Sequence, residues 1–204
     1  MLRSFVLVAA ALLIAASPAS LSAKEPCPPC PQVGQTSSLI EHGYGSSGSC
    51  SLVGKDLVLT CVHVLRGETR VLIDGKVYKT KIVAMDLLND WALLRLDREC
   101  PLDPLTIASG IPEEGEKLWG FGYGPYSEGR WGVNRVVWKK GLLYGRFYQG
   151  DSGGPLCDAE GRVIGVCTSY VPSAGTCNGH GIGQLKSFVD KFRNHQGQGV
   201  VVQR

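Results

Sequence analysis

Short apolar runs, separated by Gly, Asp, Asn or Pro, recur along most of the chain after residue 38. Each run is four to eight residues long, and these lengths and boundaries are typical of β-strands. Many short strands divided by turn residues predict an all-β sandwich or barrel. The predicted strands are residues 57–64, 70–73, 77–83, 91–96, 117–121, 133–138, 142–148 and 163–170.

Two local patterns refine this prediction. Asp74-Gly75, between two predicted strands, favours a two-residue hairpin turn, because both residue types tolerate a positive φ. Residues 184–192 instead predict a C-terminal α-helix, since their apolar side chains recur at intervals of three and four residues. The apolar positions of this helix are Leu185, Phe188, Val189 and Phe192.

The N-terminus has the pattern of a secretory signal peptide. Arg3 precedes an unbroken apolar run of 12 residues over 5–16, and small residues follow as far as Ala23. An uncleaved membrane anchor is the alternative, although a spanning helix needs about 20 apolar residues. We therefore predict cleavage after residue 23 and a secreted or periplasmic protein without stable membrane insertion.

Composition narrows the function classes. The 204 residues include 44% hydrophobic and only 19% charged residues, so the chain can form a core and global disorder is excluded. The formal net charge of +3 is too balanced to indicate binding to nucleic acid or an anionic membrane. No pattern indicates a cofactor.

All eight cysteines follow residue 23, and an even number in an exported chain predicts disulfides. Eight cysteines allow 105 pairings, so the connectivity stays open, but two pairs are geometrically suited to disulfides. Cys50 and Cys61 bracket one candidate hairpin, and Cys157 and Cys167 bracket another. The sequence has no second Cys-x-x-Cys and no His-x₃-His, so we predict no metal site. The cysteines whose pairing stays open are Cys27, Cys30, Cys100 and Cys177.

Residues 150–156, Gly-Asp-Ser-Gly-Gly-Pro-Leu, are the first candidate for chemistry. Glycines let the backbone turn sharply here, so that the N–H groups of Gly150 and Ser152 can point at one oxyanion. Ser152 then becomes a nucleophile if a base takes its proton. A glycine-rich turn without function is the alternative for this segment alone.

A base and an acid are found elsewhere in the chain. His63 lies at the end of an apolar strand and can act as a general base, whereas His42 and His195 lie in less ordered surroundings. Asp90 opens another apolar strand, and its carboxylate needs a hydrogen-bond partner there, for which an imidazole N–H is suited. Asp86 is the competing carboxylate, but its neighbours suggest a surface loop.

These three segments together resemble the trypsin-like (chymotrypsin-fold) serine proteases, in the same order of His, Asp and Ser. The resemblance covers residues 39–193 and is closer to compact exported bacterial members than to animal digestive trypsins. It implies two six-stranded antiparallel β-barrels, over about 39–110 and 111–195, and a C-terminal helix. Outside this domain we expect an N-terminal arm over 24–38 and a flexible tail over 196–204.

The resemblance also implies a function. The protein is expected to be a secreted, monomeric serine endopeptidase in which His63, Asp90 and Ser152 form a triad and an acyl-enzyme intermediate. A peptide or protein substrate would pair with the strand of Thr168, Ser169 and Tyr170. Arg146, six residues before the serine, would lie at the base of the primary pocket and favour acidic side chains.

Two departures and two alternatives accompany this expectation. Val64 replaces the cysteine that follows the histidine in digestive members, and no Ile-Val-Gly-Gly activation sequence is present. We therefore expect activity without that cleavage, or Asp151 paired with an arginine. The alternatives are a catalytically silent binding module and, from the Gly-x-Ser-x-Gly pattern around Ser152, an α/β-hydrolase esterase.

Overall fold

A computed structural model describes residues 32–39, 47–124, 132–171, 176–178, 182–194 and 200–203. The predicted signal peptide, together with Cys27 and Cys30, lies outside these ranges. Within them the chain forms fourteen β-strands and one α-helix. No helix of this part of the chain is long and apolar enough to cross a membrane.

The first six strands form a closed antiparallel barrel. Their spatial order is β5-β4-β1-β2-β3-β6, and β5 also pairs with β6, which closes the sheet. The predicted six-stranded barrel is therefore confirmed in the first half of the domain. The strands are β1 (Val33–Leu39), β2 (Ser47–Gly54), β3 (Leu57–Cys61), β4 (Glu68–Ile73), β5 (Lys76–Asp86) and β6 (Trp91–Leu96).

The second sheet follows the order β11-β10-β7-β8-β9-β13-β12. Although β11 and β12 lie at opposite ends of this order, only two residues separate them in the chain, so the sheet curls round on itself. Counted as one interrupted strand, they give the second barrel six strands, as predicted. The strands are β7 (Lys117–Gly122), β8 (Gly132–Lys139), β9 (Leu142–Tyr144), β10 (Pro155–Cys157), β11 (Val163–Val166), β12 (Ser169–Val171) and β13 (Thr176–Asn178).

The C-terminal helix is also confirmed. Helix α1 (Leu185–Arg193) buries its four predicted apolar side chains, and the Phe188 ring lies 5.6 Å from the ring of Trp91 in β6. Residues beyond it, predicted to be a flexible tail, include a further strand, β14 (Val201–Gln203), which pairs in parallel with the end of β5.

Strand β1 differs from the predicted N-terminal arm, because most of that strand falls within residues 24–38. It lies between β2 and β4 and completes the first barrel. A Cβ on Gly34 would approach Ile73 Cγ1 to 2.5 Å, so the small residue lets the strand sit close to β4. The sequence Val-Gly-Gln-Thr-Ser-Ser-Leu has few apolar residues, and its strand structure depends on its neighbours rather than on its own pattern.

The expected hairpin disulfides are wrong. Neither Cys50 with Cys61 nor Cys157 with Cys167 is bonded. Strands β2 and β3 pair Ser51 with Leu59, and continuing that register puts Cys50 opposite Thr60, one residue short of Cys61. A shift of one residue reverses the face, so the two thiols enter different apolar clusters. Cys157 and Cys167 are likewise divided between two clusters.

Candidate active site

His63 and Asp90 meet because β3 and β6 are neighbours. Their register pairs Cys61 with Trp91, so the residues just beyond the end of β3 stand beside those just before β6. After Cys61 the chain turns into a short 3-10 helix, Val62–Val64. His63 Nδ1 lies 2.5 Å from Asp90 Oδ2, and the His63 backbone N–H donates to Asp90 Oδ1 over 3.0 Å. Two bonds thus fix the imidazole against the carboxylate.

The backbone and the charge of Asp90 are both shaped by this contact. Its φ of +60° lies in the left-handed region, which residues other than glycine seldom adopt. Partial burial raises the pKa of Asp90, but hydrogen bonds from the His63 side chain and backbone outweigh that effect and lower the pKa below its ordinary value. The carboxylate is therefore ionised at neutral pH and able to stabilise an imidazolium.

A buried thiol, which the sequence analysis did not connect to the site, lies beside this pair. Cys61 Sγ contacts the Cys167 carbonyl oxygen at 3.3 Å. Burial and the nearby Asp90 carboxylate raise the pKa of Cys61 well above its ordinary value, so the group is a thiol rather than a thiolate. Cys61, His63 and Asp90 each bring a possible metal-ligand atom within 4.8 Å of the others, a proximity that the His63–Asp90 hydrogen bond already explains.

The Ser152 loop joins β9 to β10 and needs two glycines in unusual conformations. Gly150 and Gly153 have φ values of +100° and +90°. A Cβ on Gly153 would lie 2.1 Å from the Ser49 carbonyl oxygen and 2.3 Å from Thr60 Oγ1, so the loop packs directly on β2 and β3. The chain then continues into a strand rather than a helix, which excludes the α/β-hydrolase elbow considered from the sequence.

The Ser152 hydroxyl approaches the same segment as Cys61. Ser152 Oγ donates to the Thr168 carbonyl oxygen over 3.4 Å, a long and therefore weak hydrogen bond, rather than to His63. The carbonyls that accept from Cys61 and Ser152 thus belong to adjacent residues, Cys167 and Thr168. Cys61, which lies beside the His63–Asp90 pair, and Ser152 therefore both contact the short segment between β11 and β12.

The amides of the Ser152 loop fall into two groups. Asp151 N–H donates to the Tyr148 carbonyl and Gly153 N–H to the Cys167 carbonyl. The N–H groups of Gly150 and Ser152, by contrast, have no acceptor among the residues that the structure describes. These are the two amides expected to bind an oxyanion.

Comparison with known proteins identifies the family. A family model described as a trypsin-like peptidase domain matches residues 48–166. The chain belongs to the trypsin-like peptidase family.

Among sequence relatives of this trypsin-like chain, "Probable periplasmic serine protease do/HhoA-like" of Haemophilus influenzae is 28% identical over 152 residues, 66% of this chain and 32% of its own. Serine protease HTRA1 of Xenopus laevis is 28% identical over 177 residues, 76% of this chain and 38% of its own. The chain spans about a third of the length of these relatives.

Solved structures of proteases share the fold. The active form of the Rv3671c protease from M. tuberculosis matches with a TM-score of 0.73 and 24% identity, covering 83% of this chain and 84% of that one. The serine endoprotease from Yersinia pestis matches with a TM-score of 0.69 and 22% identity, covering 81% and 64%. At these identities the likeness establishes the chymotrypsin-like architecture of this family member.

The structure also locates the other residues of this trypsin-like domain that the sequence analysis singled out. Asp151 is buried, and its Oδ2 accepts the Tyr148 N–H over 2.8 Å. Asp86 accepts the N–H groups of Leu88 and Asn89, which stabilises the turn before Asp90 rather than binding a histidine. Arg146 is exposed in the segment after β9. The predicted substrate residues begin with buried Thr168 and continue as Ser169 and Tyr170 in β12.

Proposed function

We propose that this protein is a serine endopeptidase that acts through His63, Asp90 and Ser152. The observation that carries the proposal is the convergence on one segment: Cys61, which adjoins the His63–Asp90 pair, contacts the Cys167 carbonyl, while Ser152 Oγ contacts the next carbonyl, Thr168. Membership of the trypsin-like peptidase family supports the same reaction class.

His63 would be the general base. Asp90 accepts from Nδ1, so the proton is held at that nitrogen and Nε2 keeps its lone pair for the serine hydroxyl. Ser152 Oγ would leave its weak bond to Thr168 and turn towards Nε2. The imidazolium formed on proton transfer is stabilised by the ionised Asp90 carboxylate.

The reaction would then follow acyl transfer in two stages. Ser152 Oγ attacks the peptide carbonyl carbon, and the oxyanion accepts from the Gly150 and Ser152 N–H groups. His63 returns its proton to the leaving amine, which departs and leaves an acyl-enzyme. Water, deprotonated by His63, releases the second product by the same sequence.

An extended peptide would bind as an added strand along β12. This strand ends the sheet order and pairs only with β13 among the described strands, so its other edge offers backbone donors and acceptors. Main-chain pairing at residues 168–170 would hold the scissile bond next to Ser152.

Arg146 is our candidate for primary specificity, with an exposed guanidinium that would favour an acidic side chain before the cleaved bond. Digestion of a peptide library with mapped cleavage sites tests this role. Acidic residues should be enriched immediately before the cut, and Arg146→Gln should abolish the enrichment. Cleavage sites that lack acidic residues at that position would remove Arg146 from the pocket.

Export is proposed from the N-terminal pattern together with the periplasmic description of the Haemophilus influenzae relative. N-terminal sequencing of the protein recovered from the exported fraction should begin at residue 24. A chain that retains residues 5–16 would contradict cleavage of a signal peptide.

Labelling with a fluorophosphonate probe tests the catalytic proposal. The wild-type protein should be labelled at Ser152, and Ser152→Ala should abolish the signal. His63→Ala should slow labelling strongly while leaving the fold intact. A folded wild-type protein that neither reacts with the probe nor cleaves a peptide library would instead fit the silent binding module.

A further inference from the structure

We propose that Ser49 is a positioning residue that holds the oxyanion-binding loop from the opposite barrel. The inference rests on the proposed function and adds to it a residue outside the three recognised motifs. Ser49 lies in β2, is fully buried, and belongs to the first barrel, whereas the loop that it contacts belongs to the second.

Four hydrogen bonds converge on Ser49. Its backbone N–H donates to the Ser152 carbonyl over 2.7 Å, and its hydroxyl donates to the Gly150 carbonyl over 2.7 Å. The hydroxyl oxygen also accepts the Tyr123 N–H at 2.7 Å, and the Ser49 carbonyl accepts Thr60 Oγ1 at 2.8 Å. One small side chain therefore connects β2, the chain just after β7, and the nucleophile loop.

The two carbonyls that Ser49 holds lie on either side of the Ser152 amide. The Gly150 carbonyl belongs to the peptide plane between residues 150 and 151, and the Ser152 carbonyl to the plane between 152 and 153. The Ser152 N–H lies in the plane between these two, so its direction is limited at both ends. The hydroxyl contact also anchors Gly150, whose own N–H is the second proposed oxyanion donor.

Such an external hold matters because the loop contains glycines. Gly150 and Gly153 both have positive φ and, as glycines, reach many other conformations at little cost. An oxyanion donor contributes only if it is already oriented when the negative charge develops. The contacts to Ser49 supply that orientation without touching substrate.

Burial alone does not explain the hydrogen bonds of the Ser49 hydroxyl, as a comparison with a neighbouring buried serine shows. Ser51 lies on the same strand and is also fully buried, yet its hydroxyl oxygen has no hydrogen-bond partner. A buried hydroxyl in β2 is thus tolerated without any role in the loop. Ser51→Ala is therefore a control that removes the same atom from the same strand.

The test compares Ser49→Ala and Ser51→Ala in the full chain, with peptide cleavage, inhibitor binding and thermal unfolding measured for both. Removing one oxyanion donor costs about 10²–10³-fold in rate, so loosening the loop that carries both donors should lower kcat at least ~10-fold. KM should change little, while affinity for a peptide boronate inhibitor, which mimics the tetrahedral intermediate, should fall in parallel with kcat. Ser51→Ala should stay within about twofold of wild type in kcat, as expected for a change without such a role.

Equal kcat values for the two variants would overturn the role of Ser49, as would a loss confined to KM. If Ser49→Ala fails to fold, Ser49→Cys provides a variant of similar shape with a weaker donor, and it should show the same selective loss of kcat. Labelling of the wild-type protein by the fluorophosphonate probe separates this outcome from failure of the proposed function. An unreactive wild type would overturn both proposals, whereas a reactive wild type with an unaffected Ser49→Ala would overturn only this one.

Discussion

Asp90 combines an unfavourable backbone conformation with a pair of hydrogen bonds to one histidine. A left-handed φ at a non-glycine residue costs about 1 kcal/mol or more and persists only where the surroundings impose it. Here the surroundings are the β3–β6 register and the two bonds from His63. The strain falls on a residue of the proposed triad, where orientation is most valuable.

Asp90→Asn should therefore lower kcat by about 10³–10⁴-fold, because the amide favours the wrong imidazole tautomer. The structure should change little. Steady-state peptide cleavage measures the loss, and circular dichroism checks that the fold is kept. Asn89→Ala, one position earlier in the turn, is the matched control and should retain most of the activity. A comparable loss in both variants would indicate a disturbed turn rather than a lost carboxylate.

The lowered pKa of Asp90 also predicts a pH dependence of stability. Because the folded protein binds the proton of this carboxyl less readily than the unfolded chain, the stabilisation is present above the ordinary carboxyl pKa of about 3.9. It is lost as the pH falls through the lower folded-state value. Wild type should accordingly have a higher Tm than Asp90→Asn at pH 6, and the difference should shrink towards pH 2. A difference in Tm that is independent of pH would contradict this assignment.

Single residues also mark the limit of what the sequence could provide. The proposed triad of His63, Asp90 and Ser152 could be selected from the sequence because each residue lies in a characteristic short motif. Ser49 lies in a strand without such a motif, and its contacts to the Ser152 loop arise only from the docking of the two barrels. Cys61 lies in the same segment as His63, but its place beside Asp90 depends on the pairing of β3 with β6. The disulfide between Cys50 and Cys61 was mispredicted for a related reason, since a shift of one residue in register decides which face a side chain occupies.

At the scale of elements, periodic patterns were more informative than composition. Helix α1 was predictable because its apolar spacing is local, and the turn at Asp74-Gly75 has positive φ at both residues, as expected. Strand β1 was not predictable from its own pattern, because this polar segment forms a strand only where β2 and β4 supply its hydrogen bonds. Strand β14 depends in the same way on the edge of β5.

Helix α1 supports the site through Phe188, which packs on Trp91, the residue directly after Asp90. Phe188→Ala should lower the free energy of unfolding by about 3–5 kcal/mol through lost burial and the cavity left behind. Ser187→Ala changes an exposed neighbour on the same helix and should alter stability by less than about 0.5 kcal/mol. Urea denaturation of both variants measures the difference, and a similar small effect in each would mean that the helix does not brace the first barrel.

The whole molecule is held together by a core that both barrels share. The largest buried apolar cluster contains Trp91 of the first barrel, Phe121 and Val163 of the second, and Phe188 of the helix. The connecting segment is also tied to the second barrel, because Ala108 N–H donates to the Val163 carbonyl and Val163 N–H to the Thr106 carbonyl. Each barrel also has a smaller buried cluster of its own, but the largest cluster spans the two halves that carry the proposed triad.

This shared core predicts one cooperative unfolding transition rather than two. Fragments 32–110 and 111–204, expressed separately, should each fail to fold, because each would expose the apolar surface that it now buries against the other. Mixed together, they should recover part of the β-sheet circular dichroism signal and labelling at Ser152, since Ser49 and Ser152 contact each other only across the two halves. Independent cooperative unfolding of either fragment, measured by urea titration, would show that the barrels are autonomous domains. In that case the contacts between barrels would align the site without being required for folding, and the Ser49 contacts would then be the main determinant of loop geometry.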